Sequence, residues 1–248
     1  MRRMASVRRR ESACVTNCYH NAHDDYAQIL ASASYDDTIN IYADDPSDDW
    51  ACVRTLKGHT NTVWALAWCP FPSLSSTSSP PEHDRGFLAS AGADGTIRIW
   101  RRTGKEEWAP GLLLEGLHER AVLALAWGGG ESPKGEDEIS WLGWLASAGS
   151  DGVINVWSMR VRLSAFQSAR LSLEQSLTDN SSAMQETPEE KAGLKATLCA
   201  RIEDAHGVHD VNTLSWCPRT GLSRLLTSAG DDGCVRVWTL RDSSIVPT

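Results

Sequence analysis

Short runs in which apolar and polar residues alternate, punctuated by acidic turns, dominate this chain. Four segments align without a gap: Leu30 to Tyr42, Leu88 to Trp100, Leu145 to Trp157 and Leu226 to Trp238. Each opens with small residues, as in Leu88-Ala-Ser-Ala-Gly, passes an Asp-Gly or Asp-Asp step, and resumes with strict alternation, as in Thr96-Ile97-Arg98-Ile99-Trp100. Period-two patterning on both sides of such a step predicts a β-hairpin. The turn residues Asp36, Asp94, Asp151 and Asp232 lie 58, 57 and 81 residues apart.

A second apolar run precedes each of the last three hairpins. Gly58-His59 leads to Val63, Leu66 and Trp68, and His118 leads to Val122, Leu125 and Trp127. His206 leads to Val211, Leu214 and Trp216, with one residue more between His and Val. The combined unit resembles the WD40 repeat, which implies an all-β propeller of four-stranded antiparallel blades. Residues 26–240 carry about three and a half such blades: a partial first blade, two full ones, and a last blade ending at Trp238 without an outer strand. Residues 1–25 are expected to be a divergent, disordered segment, and 241–248 a tail. Insertions at about 70–86, 128–143 and 158–195 account for spacings wider than the usual ~40–45 residues. In the longest, Leu163, Phe166, Leu173 and Leu177 suit either a short helix or a low-complexity loop.

Composition narrows the function classes. The 248 residues suffice for a sizeable core without disulfide staples. A net charge of −8 argues against nucleic acid as a partner, and no apolar run reaches the ~18 residues of a membrane span. Seven cysteines without a CxxC pair fit a reduced, intracellular chain. Met1 to Arg10 holds five Arg with no apolar segment after it, which excludes a secretory signal. A transit peptide, an import signal or a charged tail stays open there. Of eleven tryptophans, against three phenylalanines, six recur at two fixed places of the repeat: Trp68, Trp127 and Trp216, and Trp100, Trp157 and Trp238.

His59, Ser90, Asp94 and Trp100 have the residue types of a hydrolytic triad. The set recurs as His118, Ser147, Asp151 and Trp157, and again as His206, Ser228, Asp232 and Trp238. An active site is built once, whereas a structural device is built in every blade. The sets are therefore expected to be buried hydrogen-bonded networks, and no catalytic residue is assigned. The first repeat, with Tyr42 in place of Trp and no clear His, should be incomplete. Cys14, Cys18, His20 and His23 could supply zinc ligands, but C-x3-C-x-H-x2-H is tighter than familiar sites. The run Asp44-Asp45 through Asp48-Asp49 lacks the Gly and terminal Glu of a calcium loop. Neither metal nor cofactor is assigned.

Several stretches are more specific. Leu30 through Tyr35-Asp-Asp-Thr38, Asp48-Asp49-Trp50 leading to Cys52, and Thr55-Leu56-Lys57-Gly58-His59 resemble the WD40 protein of cytosolic iron–sulfur protein assembly. So do Thr62-Val63-Trp64-Ala65-Leu66, Ala205-His206 through Asp210-Val211-Asn212, and Asp231-Asp232-Gly233. The resemblance implies a non-enzymatic, cytoplasmic and also nuclear scaffold. Its partners would be the iron–sulfur targeting complex and client apoproteins that receive clusters. A generic WD40 adaptor, in ubiquitin ligation or chromatin, is the alternative. That family's ring has seven blades, so this chain resembles its C-terminal half, as in a shortened gene product, and ring closure is open. Partner contacts are expected at the turn end of the blades, at Tyr35, Trp64, Asn212 and Asp231. Ile39, Ile41, Val235 and Val237 are expected to lie uncovered at the two ends of the array.

Overall fold

The computed structural model describes residues 12–18, 29–44, 50–70, 86–104, 106–129, 139–162, 193–218, 224–241 and 244–247. These form four four-stranded antiparallel sheets, each in chain order. Blade 1 comprises β1 (Ser12–Cys18), β2 (Ile29–Ser34), β3 (Thr38–Asp44) and β4 (Trp50–Lys57). Blade 2 comprises β5 (Val63–Trp68), β6 (Phe87–Gly92), β7 (Ile97–Arg102) and β8 (Trp108–Leu114). Blade 3 comprises β9 (Val122–Gly128), β10 (Ile139–Gly149), β11 (Ile154–Arg162) and β12 (Leu194–Ile202). A short β13 (Ala205–Val208) leads into blade 4: β14 (Val211–Trp216), β15 (Leu225–Gly230), β16 (Val235–Arg241) and β17 (Ser244–Pro247).

The predicted hairpins are present in all four sheets, and each turn is closed as the sequence requires. Gly95, Gly152 and Gly233 take φ values of 70 to 72° after the turn aspartate. Asp37 holds the same place in blade 1 at φ 67°, a left-handed conformation that Asp tolerates better than most residues.

Two expectations about the ends of the array are corrected. Residues 12–18 form β1, with Cys18 opposite Ile29 and Asn17 opposite Leu30. This strand was illegible because Asn17 stands where the other blades place Trp68, Trp127 and Trp216. Similarly, β17 is an outer strand for blade 4, with Ile245 opposite Leu240 and Val246 opposite Thr239. Four residues of strand are too few for a periodic signal. Two insertions are also narrower than expected. The segment expected at 128–143 ends where β10 begins at Ile139, and that expected at 158–195 begins after β11 ends at Arg162. A bulge between Trp141 and Gly143 interrupts the alternation that would have marked the strand. Residues 163 to 177 lie outside the described residues.

The apolar core is divided among the blade junctions. Ile39 and Ile41 of blade 1 pack with Leu66, Leu88 and Trp100 of blade 2. Ile97 and Ile99 of blade 2 pack with Leu145 and Trp157 of blade 3. Ile154 and Val156 of blade 3 pack with Leu226 and Trp238 of blade 4. Full burial of one such side chain contributes about 1.5–3 kcal/mol relative to exposure. The rule is directional: the β-branched pair faces the following blade and the Leu and Trp face the preceding one. Ile39 and Ile41 are therefore buried, contrary to expectation, because blade 2 covers them. Val235 and Val237 are exposed, as expected.

Candidate functional site: the turn end of the blades

The repeated His, Ser and Asp come together in the last three blades. His59 Nε2 lies 2.8 Å from Ser90 Oγ and its Nδ1 2.9 Å from Asp94 Oδ2. The corresponding distances are 2.6 and 2.9 Å for His118 with Ser147 and Asp151, and 2.7 and 2.8 Å for His206 with Ser228 and Asp232. Trp100 Nε1 donates to Ser90 Oγ at 2.8 Å, and Trp238 Nε1 donates to Ser228 Oγ at 2.9 Å. An indole N–H can only donate, so the serine oxygen accepts there and turns its own proton to the imidazole. In blade 2 this leaves His59 Nδ1 to donate to the Asp94 carboxylate. In blade 3, Trp157 is buried in the junction with blade 2, and Asn155 Nδ2 sits 3.0 Å from His118 Nε2.

Every serine in these networks is buried at 1% exposure or less and bonded to its histidine, and Ser90 and Ser228 also accept from an indole N–H. A nucleophilic serine needs a free lone pair aimed at a substrate. The carboxylates are held ionised. Burial raises the Asp94 carboxyl, but the His59 hydrogen bond and the Thr60 and Thr96 amides outweigh it and hold the group well below its ordinary value. Asp151 is lowered in the same way, by His118 and the amides of Val153 and Glu119, against burial. For Asp232 the His206 hydrogen bond is the main lowering cause. Each aspartate thereby ties its own turn to the loop that enters the inner strand, as Asp94 accepts from the Thr60 N–H at 3.0 Å.

A second clasp joins the same turn and loop. Ala93, Ser150 and Asp231 donate their N–H to Thr62, Ala121 and Asp210 carbonyls at 2.8, 2.9 and 3.0 Å. The approach requires glycine before each turn: a Cβ at Gly149 would stand 2.0 Å from the Ala121 oxygen.

On this frame sit the four residues expected to meet partners, and the structure joins them in two pairs. Tyr35 of blade 1 and Trp64 of blade 2 pack edge-to-face, with ring centroids 5.3 Å apart. Asn212 Nδ2 donates to Asp231 Oδ1 within blade 4. Trp64 and Asn212 share a cause for their placement. Val63 pairs with Gly92 and Ala65 with Ala91; Val211 pairs with Gly230 and Thr213 with Ala229. Trp64 and Asn212 are thus the extra residues of β-bulges, which re-aim a side chain out of the ladder. Leu123 is the bulged residue of blade 3, between the Val122 and Ala124 pairings, and sequence reasoning missed it. It also missed Val208, 94% exposed beside Gly207 at φ 64°. The signal was present: the fourth repeat has one residue more between His206 and Val211.

The zinc candidates are not brought together. Cys14 and Cys18 stand four residues apart on β1, roughly 13 Å at strand rise, too far for one ion. His20, His23 and Asp45 to Asp49 lie outside the described residues. Among the described residues, no group of three or more His, Cys, Asp or Glu could hold a metal. No described helix is long and apolar enough to cross a membrane.

Comparison with known proteins agrees with the repeat. The family model described as WD40: WD domain, G-beta repeat, matches residues 50–101 and 198–239. The protein named "Probable cytosolic iron-sulfur protein assembly protein 1" of Pyricularia oryzae is 31% identical, over 87% of this chain and 51% of its own length. The protein of the same name from Chaetomium globosum is 33% identical, over 88% of this chain and 47% of its own. That from Cryptococcus neoformans var. neoformans is 37% identical over 71% of this chain and 35% of its own. The chain thus spans about half the length of the relatives it matches. Four-stranded blades, a His-Ser-Asp network repeated in three of them, and the matched repeats show WD40 repeats forming part of a β-propeller, in a chain similar over most of its length to those assembly proteins.

Proposed function

We propose that this chain is a non-enzymatic scaffold of the cytosolic iron–sulfur protein assembly machinery, acting in the cytoplasm and nucleus to help bring clusters to apoproteins. The observation that carries the reading is the similarity to proteins bearing that name, at 31% identity across 87% of the chain. The geometry supports the non-catalytic part, because each His-Ser-Asp set is closed on itself and repeats. The partner surface is the turn end of the blades, with Tyr35 and Trp64 as the aromatic contact and Asn212 and Asp231 as the polar one. Tyrosine and tryptophan are among the residue types that most often anchor interfaces.

Affinity capture of the tagged full chain from cytosolic extract, with the retained proteins identified, tests the proposal. Iron–sulfur targeting components should be enriched. Enrichment of ubiquitin-ligase or chromatin components instead would move the chain to another WD40 class.

A further inference from the structure

The inner strands of blades 2, 3 and 4 bulge at the same register position, which turns Trp64, Leu123 and Asn212 out of their ladders at the turn end. Across three neighbouring blades this row passes from aromatic through aliphatic to polar. The Tyr35 ring of blade 1 covers part of Trp64. The repeat gives Leu123 only the methyl group of Ala93 in the corresponding place, so its cover is smaller by a whole ring. Beyond Leu123, the entry loop of blade 4 rests on the turn of blade 3, where a Cβ at Gly152 would stand 2.8 Å from the Gly207 carbonyl. Val208, in the one loop with an added residue, is almost wholly exposed there. Apolar groups held open on a hydrogen-bonded frame mark a contact surface.

The charges beside these groups are one-sided. On the loops and turns of blades 3 and 4, Arg201 pairs with Glu203 and Arg236 with Asp232. Among the described residues, that leaves Arg120 against Glu119, Asp204, Asp210 and Asp231. Asp210 and Asp231 adjoin, because the Asp231 N–H donates to the Asp210 carbonyl at 3.0 Å. The side chain that bonds the Asp231 carboxylate is the Asn212 amide, which brings no positive charge.

We propose that the turn end of blades 2 to 4 receives an extended segment of a protein partner, with an aliphatic or aromatic side chain on Leu123 and a lysine or arginine at Asp210 and Asp231. Packed sheets lie roughly 10 Å apart, which about three residues of extended chain span, so the apolar and basic residues stand about that far apart in the segment. The cation supplies the charge that Asn212 does not, and an acidic segment is turned away. The proposal rests on the turn end being the partner surface, and adds what that partner must carry.

Selection of random short peptides, displayed on phage, against the full chain tests it. Enriched peptides should carry an apolar residue and, about three residues along, Lys or Arg. One such peptide, labelled and followed by fluorescence anisotropy, should lose affinity about tenfold or more on Leu123→Asp, and as much on Asp210→Lys with Asp231→Lys. Selection repeated on the charge-reversed variant should return Asp or Glu at the basic place. Should that variant lose its cooperative melt, Asp210→Asn with Asp231→Asn removes the charge at constant shape and should weaken binding in the same direction. No enrichment, enriched peptides without the basic residue, or binding unmoved by these substitutions in folded chains would each overturn the proposal. The probe is a synthetic peptide, so a positive result beside a capture lacking iron–sulfur components would overturn the wider function alone.

Discussion

The Tyr35 ring meets the Trp64 indole edge-to-face across the junction of blades 1 and 2, at an interplanar angle of 84°. Tyr35 precedes the turn aspartate of one blade, and Trp64 is the bulged residue of the next inner strand. Tyr35 remains 55% exposed even so. Replacing both by Ala should weaken capture of iron–sulfur targeting components by at least ~2 kcal/mol, the scale of an interface anchor. The melting temperature should change little, because neither ring belongs to a junction core. Normal capture by a folded double variant would place the partner surface elsewhere.

The repeated networks predict stability effects without catalytic ones. Asp151→Ala leaves His118 Nδ1 and the Glu119 amide without their acceptor, and should destabilise the chain by about 1–3 kcal/mol in urea unfolding. Ser147→Ala should change no esterase or peptidase rate. A hydrolytic rate abolished by that substitution, with unfolding unaltered, would contradict the network's structural role.

Acid should act through the same aspartates. Asp94 and Asp151 have folded-state pKa values below the ordinary 3.8, so they bind protons more readily unfolded than folded. Their contribution is fully present above the unfolded value and is lost as pH falls through and below it. As far as these groups are concerned, urea midpoints should be level from neutral pH to about pH 5 and decline below about pH 4. Asp94→Asn should lower the neutral-pH midpoint and flatten the decline. An unchanged slope would mean that other carboxylates govern it.

Backbone geometry gives two opposed substitutions. Gly149→Ala drives a Cβ into the Ala121 carbonyl and should cost more than about 2 kcal/mol. Asp37→Gly relieves a left-handed conformation and should stabilise blade 1 by up to about 1 kcal/mol. Thermal melts of the two variants should shift in opposite directions. A shift of the same sign in both would discount strain as the cause.

The hairpins and their networks were legible because each repeats with fixed spacing, so that four copies confirm one reading. The terminal strands were not. β1 has Asn17 in the tryptophan place, and β17 has only Ser244 to Pro247 to show a period. The direction of packing was equally hidden. Ile39 and Val235 read alike in sequence, and only the order of the blades decides that one is covered and the other is not. At the turn end, the sequence marked the residues before the turn aspartates, but the bulge that turns out Leu123 depends on register, which a single strand does not encode.

The double clasp of turn and loop also separates two kinds of change. The residues just before the turn aspartate are Tyr35, Ala93, Ser150 and Asp231, an aromatic ring, a methyl group, a hydroxyl and a carboxylate. In the last three blades they sit on one hydrogen-bonded frame that does not use their side chains. Replacing the Ala93 or Ser150 side chain therefore alters what the surface offers without asking the blade to fold differently, and replacing Asp231 gives up only its bond from Asn212. Recognition can drift at these positions while foldability stays fixed, which lets one repeated unit acquire new specificities one blade at a time.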